Sequence, residues 1–250
     1  MWHMLLNNAL YLAWADTKAR YKKSVLGPLW LTLGSMVGVL GLALVWGTLL
    51  EENMNSFVPS LSIGLVIWFL ISGVIADGST TFVRQSAVIR NVAIPYWFFV
   101  VRALARHVIN LVHNLVIILI SILYFNVNIK VTAFLAIPGL LLVLANLFWI
   151  TFLLGIVGAR FRDLEYFISS FLPLLFFISP VVFRADRLPE KMNIIWLNPL
   201  SYFIEVIRQP LLGDIPDIKS YIVVFSVMIA GFISTYVLYR MCAHRLSFWV

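Results

Sequence analysis

The residues that could carry chemistry are few, and they lie at the edges of long apolar stretches. One predicted helix carries a polar stripe whose members fall within about 80° of each other at 100° per residue. An ionisable stripe that faces lipid is costly, so we predict that it lines a substrate path or a buried helix interface. Its members are Arg102, Arg106, Asn110 and His113.

Asp77 is the carboxylate that lies well inside an apolar run, and two interpretations of it stay open. An acid at membrane depth is expensive and marks a pore-facing or coupling residue in many membrane proteins. Asp77 also lies only a turn or two from the end of its predicted helix, where Arg84 could pair with it. We favour this second interpretation.

A second group of acids lies between residues 184 and 217 and could form the active site of a membrane-embedded glycosyl or phospho-lipid transferase. Bases alternate with these acids, which is typical of a solvated cap. The chain has no G-x-x-x-x-G-K-[ST] phosphate loop, and its four histidines lack zinc spacing. We therefore expect no enzyme, metal site or cofactor in this chain. The acids are Asp186, Glu190, Glu205, Asp214 and Asp217.

The composition indicates a membrane protein. Of the 250 residues, 62% are hydrophobic and 12% are charged, whereas soluble domains are about half apolar and a quarter charged. The mean hydropathy is +0.98. The apolar runs are continuous for about 20 residues, the length that a transmembrane helix needs, and they do not alternate as in a barrel. The sequence predicts an all-α membrane protein.

The predicted architecture is a single transmembrane domain, 1–250, with six crossings. Residues 2–23 are predicted as an amphipathic helix in the membrane interface, or alternatively as a cytosolic helix that packs on a partner. Residues 188–213 are predicted as re-entrant helices on the outer side, or alternatively as a cap on the outer surface. The predicted crossings are 28–50, 61–82, 102–125, 133–159, 166–183 and 218–240.

The basic residues set the predicted orientation. With six crossings, two thirds of the 18 lysine and arginine residues fall on the side that carries both termini. Because positively charged loops stay in the cytoplasm, both termini are predicted to be cytoplasmic.

Three stretches together resemble the membrane subunits of type-2 ABC exporters and, within them, the bacterial polysaccharide and O-antigen exporters. Their order and spacing agree over nearly the whole chain. The stretches are Arg20-Tyr21-Lys22-Lys23-Ser24-Val25-Leu26-Gly27-Pro28-Leu29-Trp30; Ala159-Arg160-Phe161-Arg162-Asp163-Leu164 followed by Ile178-Ser179-Pro180-Val181-Val182-Phe183; and Leu197-Asn198-Pro199-Leu200.

This resemblance implies a permease in the bacterial inner membrane that exports a lipid-linked polysaccharide for lipopolysaccharide biosynthesis. It implies a homodimer with two copies of a separate ATPase, which binds ATP and magnesium. The polymer could be O-antigen, capsule or teichoic acid, and a small-molecule or lipid exporter of the same type is the alternative.

The resemblance also implies roles for three groups of residues. A short helix would dock into the ATPase, the N-terminal helix would border the substrate entrance, and the re-entrant segment would gate the outer exit. The residues are Ala87, Val88, Ile89, Arg90 and Asn91 for coupling; Trp14, Arg20, Tyr21, Lys22 and Lys23 for the entrance; and Pro199, Tyr202 and Phe203 for the gate.

Overall fold

The computed structural model describes residues 2–22, 24–27, 29–49, 51–183 and 195–250. All secondary structure in these ranges is helical, which confirms the predicted all-α class. The α-helices are α1 (Trp2–Tyr21), α2 (Leu29–Leu49), α3 (Met54–Gly78), α4 (Ser86–Asn91), α5 (Trp97–Tyr124), α6 (Ala136–Arg160), α7 (Leu164–Ile178), α8 (Pro199–Leu211) and α9 (Ile218–Trp249).

Among the described residues, five stretches are long and apolar enough to cross a membrane: α2, α3, α5, α6 with the 3-10 turn before it, and α9. The predicted count of six is not confirmed. The predicted fifth crossing, 166–183, corresponds to α7, which has 15 residues. A helix of that length reaches about 22 Å, less than the hydrocarbon core of about 30 Å.

Helices α3, α5 and α9 each extend at least five residues beyond one end of their predicted crossings. Helix α3 begins at Met54 rather than at residue 61, because Asn53 caps it by accepting a hydrogen bond from the backbone of Asn55 at 3.0 Å. Pro59 is included in its second turn. Helix α5 begins five residues before Arg102, and α9 continues nine residues beyond position 240. The predicted crossings of α5 and α9 were bounded at charged residues, which mark where a helix leaves the lipid. The helix itself can continue past that point.

Helix α3 forms the centre of the molecule and is buried for most of its length against α2, α5 and α6. Its contact with α6 is so close that a Cβ on Gly158 would overlap the carbonyl oxygen of Ser79. At this end of the molecule, α1, α4, the start of α5, and the ends of α6 and α9 share one buried apolar cluster. Most of the described lysine and arginine residues also lie here, so we call this the basic end.

The opposite end carries α8, which packs against α3, α6 and α9. Since α3 and α9 both begin there and finish at the basic end, these two helices connect the two ends directly. Helix α2, in contrast, lies at the periphery, with only 11% of its span buried. A Cβ added to Gly34, Gly38 or Gly41 would meet no atom of the described chain within 4 Å.

Candidate functional site

Asp77 is the hub of an ion-pair cluster at the basic end. Its Oδ1 atom lies 3.0 Å from Nη1 of Arg84, so the predicted pairing of these two residues is present. Its Oδ2 atom lies 3.0 Å from Nε2 of His107 and 3.4 Å from Nη2 of Arg106. The side chain of Asp77 is 24% exposed, so the cluster joins α3 to α5 at the edge of the buried core.

Arg102, one helical turn before Arg106, holds α1 in place. Its Nε and Nη2 atoms donate to the two carboxylate oxygens of Asp16 at 2.8 and 2.7 Å. Its Nη1 atom donates to Oε1 of Gln85 at 3.2 Å. Because a bidentate arginine–carboxylate pair fixes both distance and orientation, α1, α5 and the turn before α4 form one unit here.

A small cavity of about 30 Å³ lies between the Asp77 cluster and Arg102. Arg84, Arg102 and Arg106 line it together with Asp77, so its wall carries more positive than negative charge. The cavity has room for about one water molecule. At the basic end, the polar stripe therefore lies in a partly buried interface between helices.

The half of the stripe farther from the basic end, Asn110 and His113, makes different contacts. The ring Nδ1 of His113 lies 2.8 Å from the carbonyl oxygen of Ile109 in the same helix. The hydroxyl of Thr32 donates to the backbone carbonyl of His113 at 3.3 Å, which ties α2 to α5. Asn110 is half-buried. These groups lie apart from the Asp77 cluster, and sequence reasoning missed His107, which lies outside the stripe.

The predicted coupling residues form α4, six residues long. Val88 and Ile89 pack into the apolar cluster of the basic end, while Ala87 and Asn91 are exposed. Arg90 turns back to the chain, and its Nε donates to the carbonyl oxygen of Val250 at 2.8 Å. Helix α4 thus presents an exposed edge and is fastened to the end of α9.

The predicted entrance residues lie along α1 and the turn after it. Trp14 is 55% exposed, Arg20 and Lys22 are exposed, and Tyr21 is half-buried. Lys23 lies outside the described residues. Helix α1 packs on α5 through its small side chains and leaves an apolar face open. The open face carries Leu6, Leu10 and Trp14.

The predicted gate residues are on α8 and differ in accessibility. Asn198 caps the helix by accepting from the backbone of Leu200 at 3.0 Å, and Pro199 occupies the first turn. Tyr202 is half-buried, whereas Phe203 is fully buried. The first part of the predicted re-entrant segment, 188–194, lies outside the described residues.

The prediction of a solvated acidic cap is wrong for Glu205. Its side chain is 4% exposed and forms an ion pair with Arg208, which is 3% exposed. Nη1 of Arg208 also donates to the carbonyl oxygen of Pro180 at 2.6 Å. The pair is enclosed where α8 packs against α3, α6 and α9. Asp186 and Glu190 lie outside the described residues.

Within the described ranges, the acidic side chains of Asp77 and Glu205 take part in ion pairs at the two ends of the molecule. No group of three or more histidine, cysteine, aspartate or glutamate side chains there could hold a metal ion. Asp77 and Glu205 are both held by arginines, so neither is a free acid or base.

The fold and these sites define a multi-pass helical membrane protein whose charges connect its helices. Residues 8–212 match the model of a protein family described as "ABC-2 type transporter". The chain belongs to this family, whose members are the membrane subunits of transporters.

Three curated relatives carry the name O-antigen export system permease protein RfbA. One from Klebsiella pneumoniae is 22% identical over 224 residues, 89% of this chain and 85% of its own length. Another from the same organism is 22% identical over 76% of this chain and 74% of its own length. A third, from Myxococcus xanthus, is 23% identical over 74% of this chain and 72% of its own length.

Proposed function

We propose that this chain is the channel-forming permease subunit of an ATP-driven exporter that moves a lipid-linked, O-antigen-like polysaccharide across the bacterial inner membrane. It works as a homodimer with two copies of a separate ATPase, which binds ATP and magnesium. The observation that carries the proposal is the similarity to a named O-antigen export permease over 89% of this chain.

The basic end is the cytoplasmic end in this proposal. Helix α4, the ends of α6 and α9, and most of α1 lie there, and so do most of the described lysines and arginines. Positive charge near membrane crossings is retained in the cytoplasm, which supports cytoplasmic termini.

Helix α4 is the part that receives the ATPase. Its exposed edge, Ala87 and Asn91, faces away from the chain, and Arg90 links it to Val250 at the end of α9. A push on α4 therefore reaches α9, whose other end contacts α8. This contact path supports α8 as the outer gate, with Tyr202 and Phe203 at its inner face.

Helix α1 borders the substrate entrance in this proposal. Its open apolar face, with Leu6, Leu10 and Trp14, suits the boundary between headgroups and acyl chains. Arg20 in its last turn and Lys22 in the turn after it carry positive charge, which suits the phosphate groups of a lipid carrier.

The exposed position of helix α2 is an argument for the homodimer in this proposal. Its span is 11% buried in one chain, and a Cβ added to Gly34, Gly38 or Gly41 would meet nothing within 4 Å among the described residues. Small residues let membrane helices approach closely, so a second copy of the chain suits this face.

Disruption of the gene in its own cells tests the proposal. We expect the lipid-linked polymer to accumulate on the cytoplasmic side, where an impermeant periodate label does not reach its sugars in intact spheroplasts. The intact chain, supplied in trans, should restore labelling. Normal surface polymer in the disrupted strain would overturn the proposal, and export of a small molecule alone would favour the alternative.

A further inference from the structure

An apolar groove of about 450 Å³ lies between α2, α3 and α5. Its floor is buried and carries Val39, Ala43 and Ile117. Its two rims are exposed, with Leu44 on α2 and Tyr124 on α5. Sites for small ligands have volumes of about 300–1,000 Å³. Because all three helices are long and apolar enough to cross a membrane, the groove opens sideways into lipid.

Helix contacts close the groove at its two ends. Towards the basic end, the hydroxyl of Thr32 donates to the carbonyl oxygen of His113 at 3.3 Å and joins α2 to α5. Towards the other end, a Cβ on Gly47 would overlap the side chain of Met54, so α2 and α3 touch there. Between these contacts the groove follows α2 for eight residues, from position 36 to position 44, or about 12 Å.

The groove and the glycine face lie on different sides of α2. At 100° per residue, the centre of the groove-lining positions of α2 is about 160° from the centre of Gly34, Gly38 and Gly41. The glycine face is the side that suits a second copy of the chain, because small residues let membrane helices approach closely. A dimer through that face leaves the groove open to lipid.

Water does not suit the groove, since a buried water needs about two to four polar partners and apolar cavities stay dry. The hydroxyl of Ser62, in the lining, already donates to the carbonyl oxygen of Val58 at 2.7 Å. Ser121 also lines the groove and is 7% exposed. Its Oγ atom has no hydrogen-bond partner among the described residues. An apolar chain with one hydrogen-bond acceptor at its end matches this lining.

We propose that this groove binds one acyl chain of a membrane phospholipid from the leaflet farther from α4. The chain packs on Val39, Ala43 and Ile117, and the ester carbonyl at its end accepts from the hydroxyl of Ser121. The bound chain supplies dispersion contacts that an empty groove would lack. Helix α2, whose span is 11% buried by protein, is thereby held against α5.

A polyprenyl carrier lipid suits the groove less well than a phospholipid. Its hydrocarbon chain carries no ester carbonyl to accept from Ser121. It is also longer than the groove, and the contact between Thr32 and His113 closes the way towards the basic end. The site does not depend on what the protein transports.

Photolabelling of the intact protein in lipid nanodiscs tests this site. The probe is a phosphatidylethanolamine that carries a diazirine midway along one acyl chain, and mass spectrometry maps the labelled residues. We expect label at the rim residues Leu40 and Leu44 to exceed label at Leu119 several-fold. Leu119 is 54% exposed on the opposite side of α5, so it reports the lipid that only surrounds the protein.

Ile120→Trp narrows the opening of the groove and should lower the label at Leu40 and Leu44 several-fold. Leu119→Trp is the matched control, because the two residues are neighbours with 44% and 54% exposure and Ile120 lines the groove while Leu119 does not. The unfolding temperature checks the folding of each variant. If Ile120→Trp does not fold, Leu40→Trp at the facing rim replaces it, with the label read at Ile120.

An ether-linked form of the probe, which lacks the ester carbonyl, tests the hydroxyl of Ser121. We expect the ester probe to label the rim more strongly than the ether probe in the original chain, and the two probes to label Ser121→Ala equally. Equal labelling by the two probes in the original chain would overturn the role of Ser121.

Three results would overturn the groove proposal. The first is equal label at Leu119 and at the rim, or unchanged label in Ile120→Trp. The second is stronger labelling of the rim by a polyprenyl phosphate with the same diazirine, which would assign the groove to the carrier lipid. The third is a disulfide between two copies of Leu44→Cys, which would show that a second copy covers the groove. None of these results depends on polymer export, so this proposal and the proposed function fail separately.

Discussion

The two ends of the molecule each hold an arginine–carboxylate cluster, and the two clusters are built differently. Glu205 and Arg208 lie one turn apart on α8 and are 4% and 3% exposed. Asp77 is 24% exposed and shares its two oxygens among side chains from beyond α3 and from α5. The first cluster is sealed within the protein, whereas the second is a partly hydrated junction between elements.

The difference indicates which end is rigid and which can rearrange. A buried ion pair loses much when one partner leaves, because the remaining charge stays without water. A partly exposed charge can exchange a protein partner for water at low cost. We therefore expect the α8 cluster to keep its geometry while the Asp77 junction changes partners during transport. Substitutions in the two clusters test this contrast.

Arg208→Ala should have the largest effect on stability. It leaves Glu205 charged and buried and removes a donor to the carbonyl oxygen of Pro180, a change that costs about 3–5 kcal/mol. Thermal unfolding of the purified chain in detergent measures it. Lys219→Ala is the control, since Lys219 is exposed and should change stability by less than about 0.5 kcal/mol.

The double variant Glu205→Leu with Arg208→Met sharpens this prediction. It removes both charges together, so most of the lost stability should return. A double variant as unstable as Arg208→Ala would mean that the carbonyl of Pro180, and not the unpaired carboxylate, causes the loss.

Asp77→Asn should have an intermediate effect. Hydrogen bonds to charged groups contribute about 1.5–3 kcal/mol each when buried, and the 24% exposure of Asp77 places the loss at or below the lower value. The unfolding temperature measures it, with Asp163→Asn, at an exposed acid, as the control. A loss equal to that of Arg208→Ala would contradict the contrast between the two ends.

Asp16→Asn should release α1 with a still smaller effect on the whole chain. It weakens the bidentate contact with Arg102, while α1 keeps its apolar contacts through Ala9 and Ala13. Tryptic cleavage after Lys18 should become several-fold faster. Asn8→Ala, an exposed position on the same helix, should cleave at the original rate, and equal rates in all three proteins would contradict the role of Asp16.

Val92→Glu should leave stability unchanged and reduce coupling. Val92 ends α4 and is 50% exposed, so the change should lie within about 0.5 kcal/mol. We expect ATP hydrolysis by the assembled complex to fall about tenfold. Val92 is a cleaner probe than charge reversal at Arg90, because Arg90 also holds Val250.

Val25→Glu is the control for Val92→Glu, since Val25 is fully exposed between α1 and α2. Full ATPase activity in Val92→Glu, with the ATPase bound, would remove α4 from the coupling path.

The contacts that the sequence could predict are those between residues close together along the chain. The pair Asp77–Arg84 is seven residues apart and follows from the position of one helix end. Asp16 and Arg102 are 86 residues apart, and their contact depends on which helices pack together. Spacing along the chain does not show which helices pack together, so this pair could not be predicted from it.

The burial of α8 could have been predicted from the residues on either side of Glu205 in the sequence. Phe203, Ile204, Val206 and Ile207 surround Glu205, and all of them are buried. The alternation of acids and bases over residues 184–217 favoured a solvated cap instead. Helix α8 is amphipathic with its charges one turn apart, so the i,i+3 pair was a signal for a neutralised and buried contact.

The most direct test of the central claim is the identity of what purifies with this chain from its own cells in mild detergent. We expect native mass spectrometry to give two copies of the chain, two copies of an ATPase subunit, and bound lipid-linked glycan. A properly folded chain that purifies alone, with no ATPase at any salt concentration, would contradict the assignment as the permease of an ATP-driven exporter.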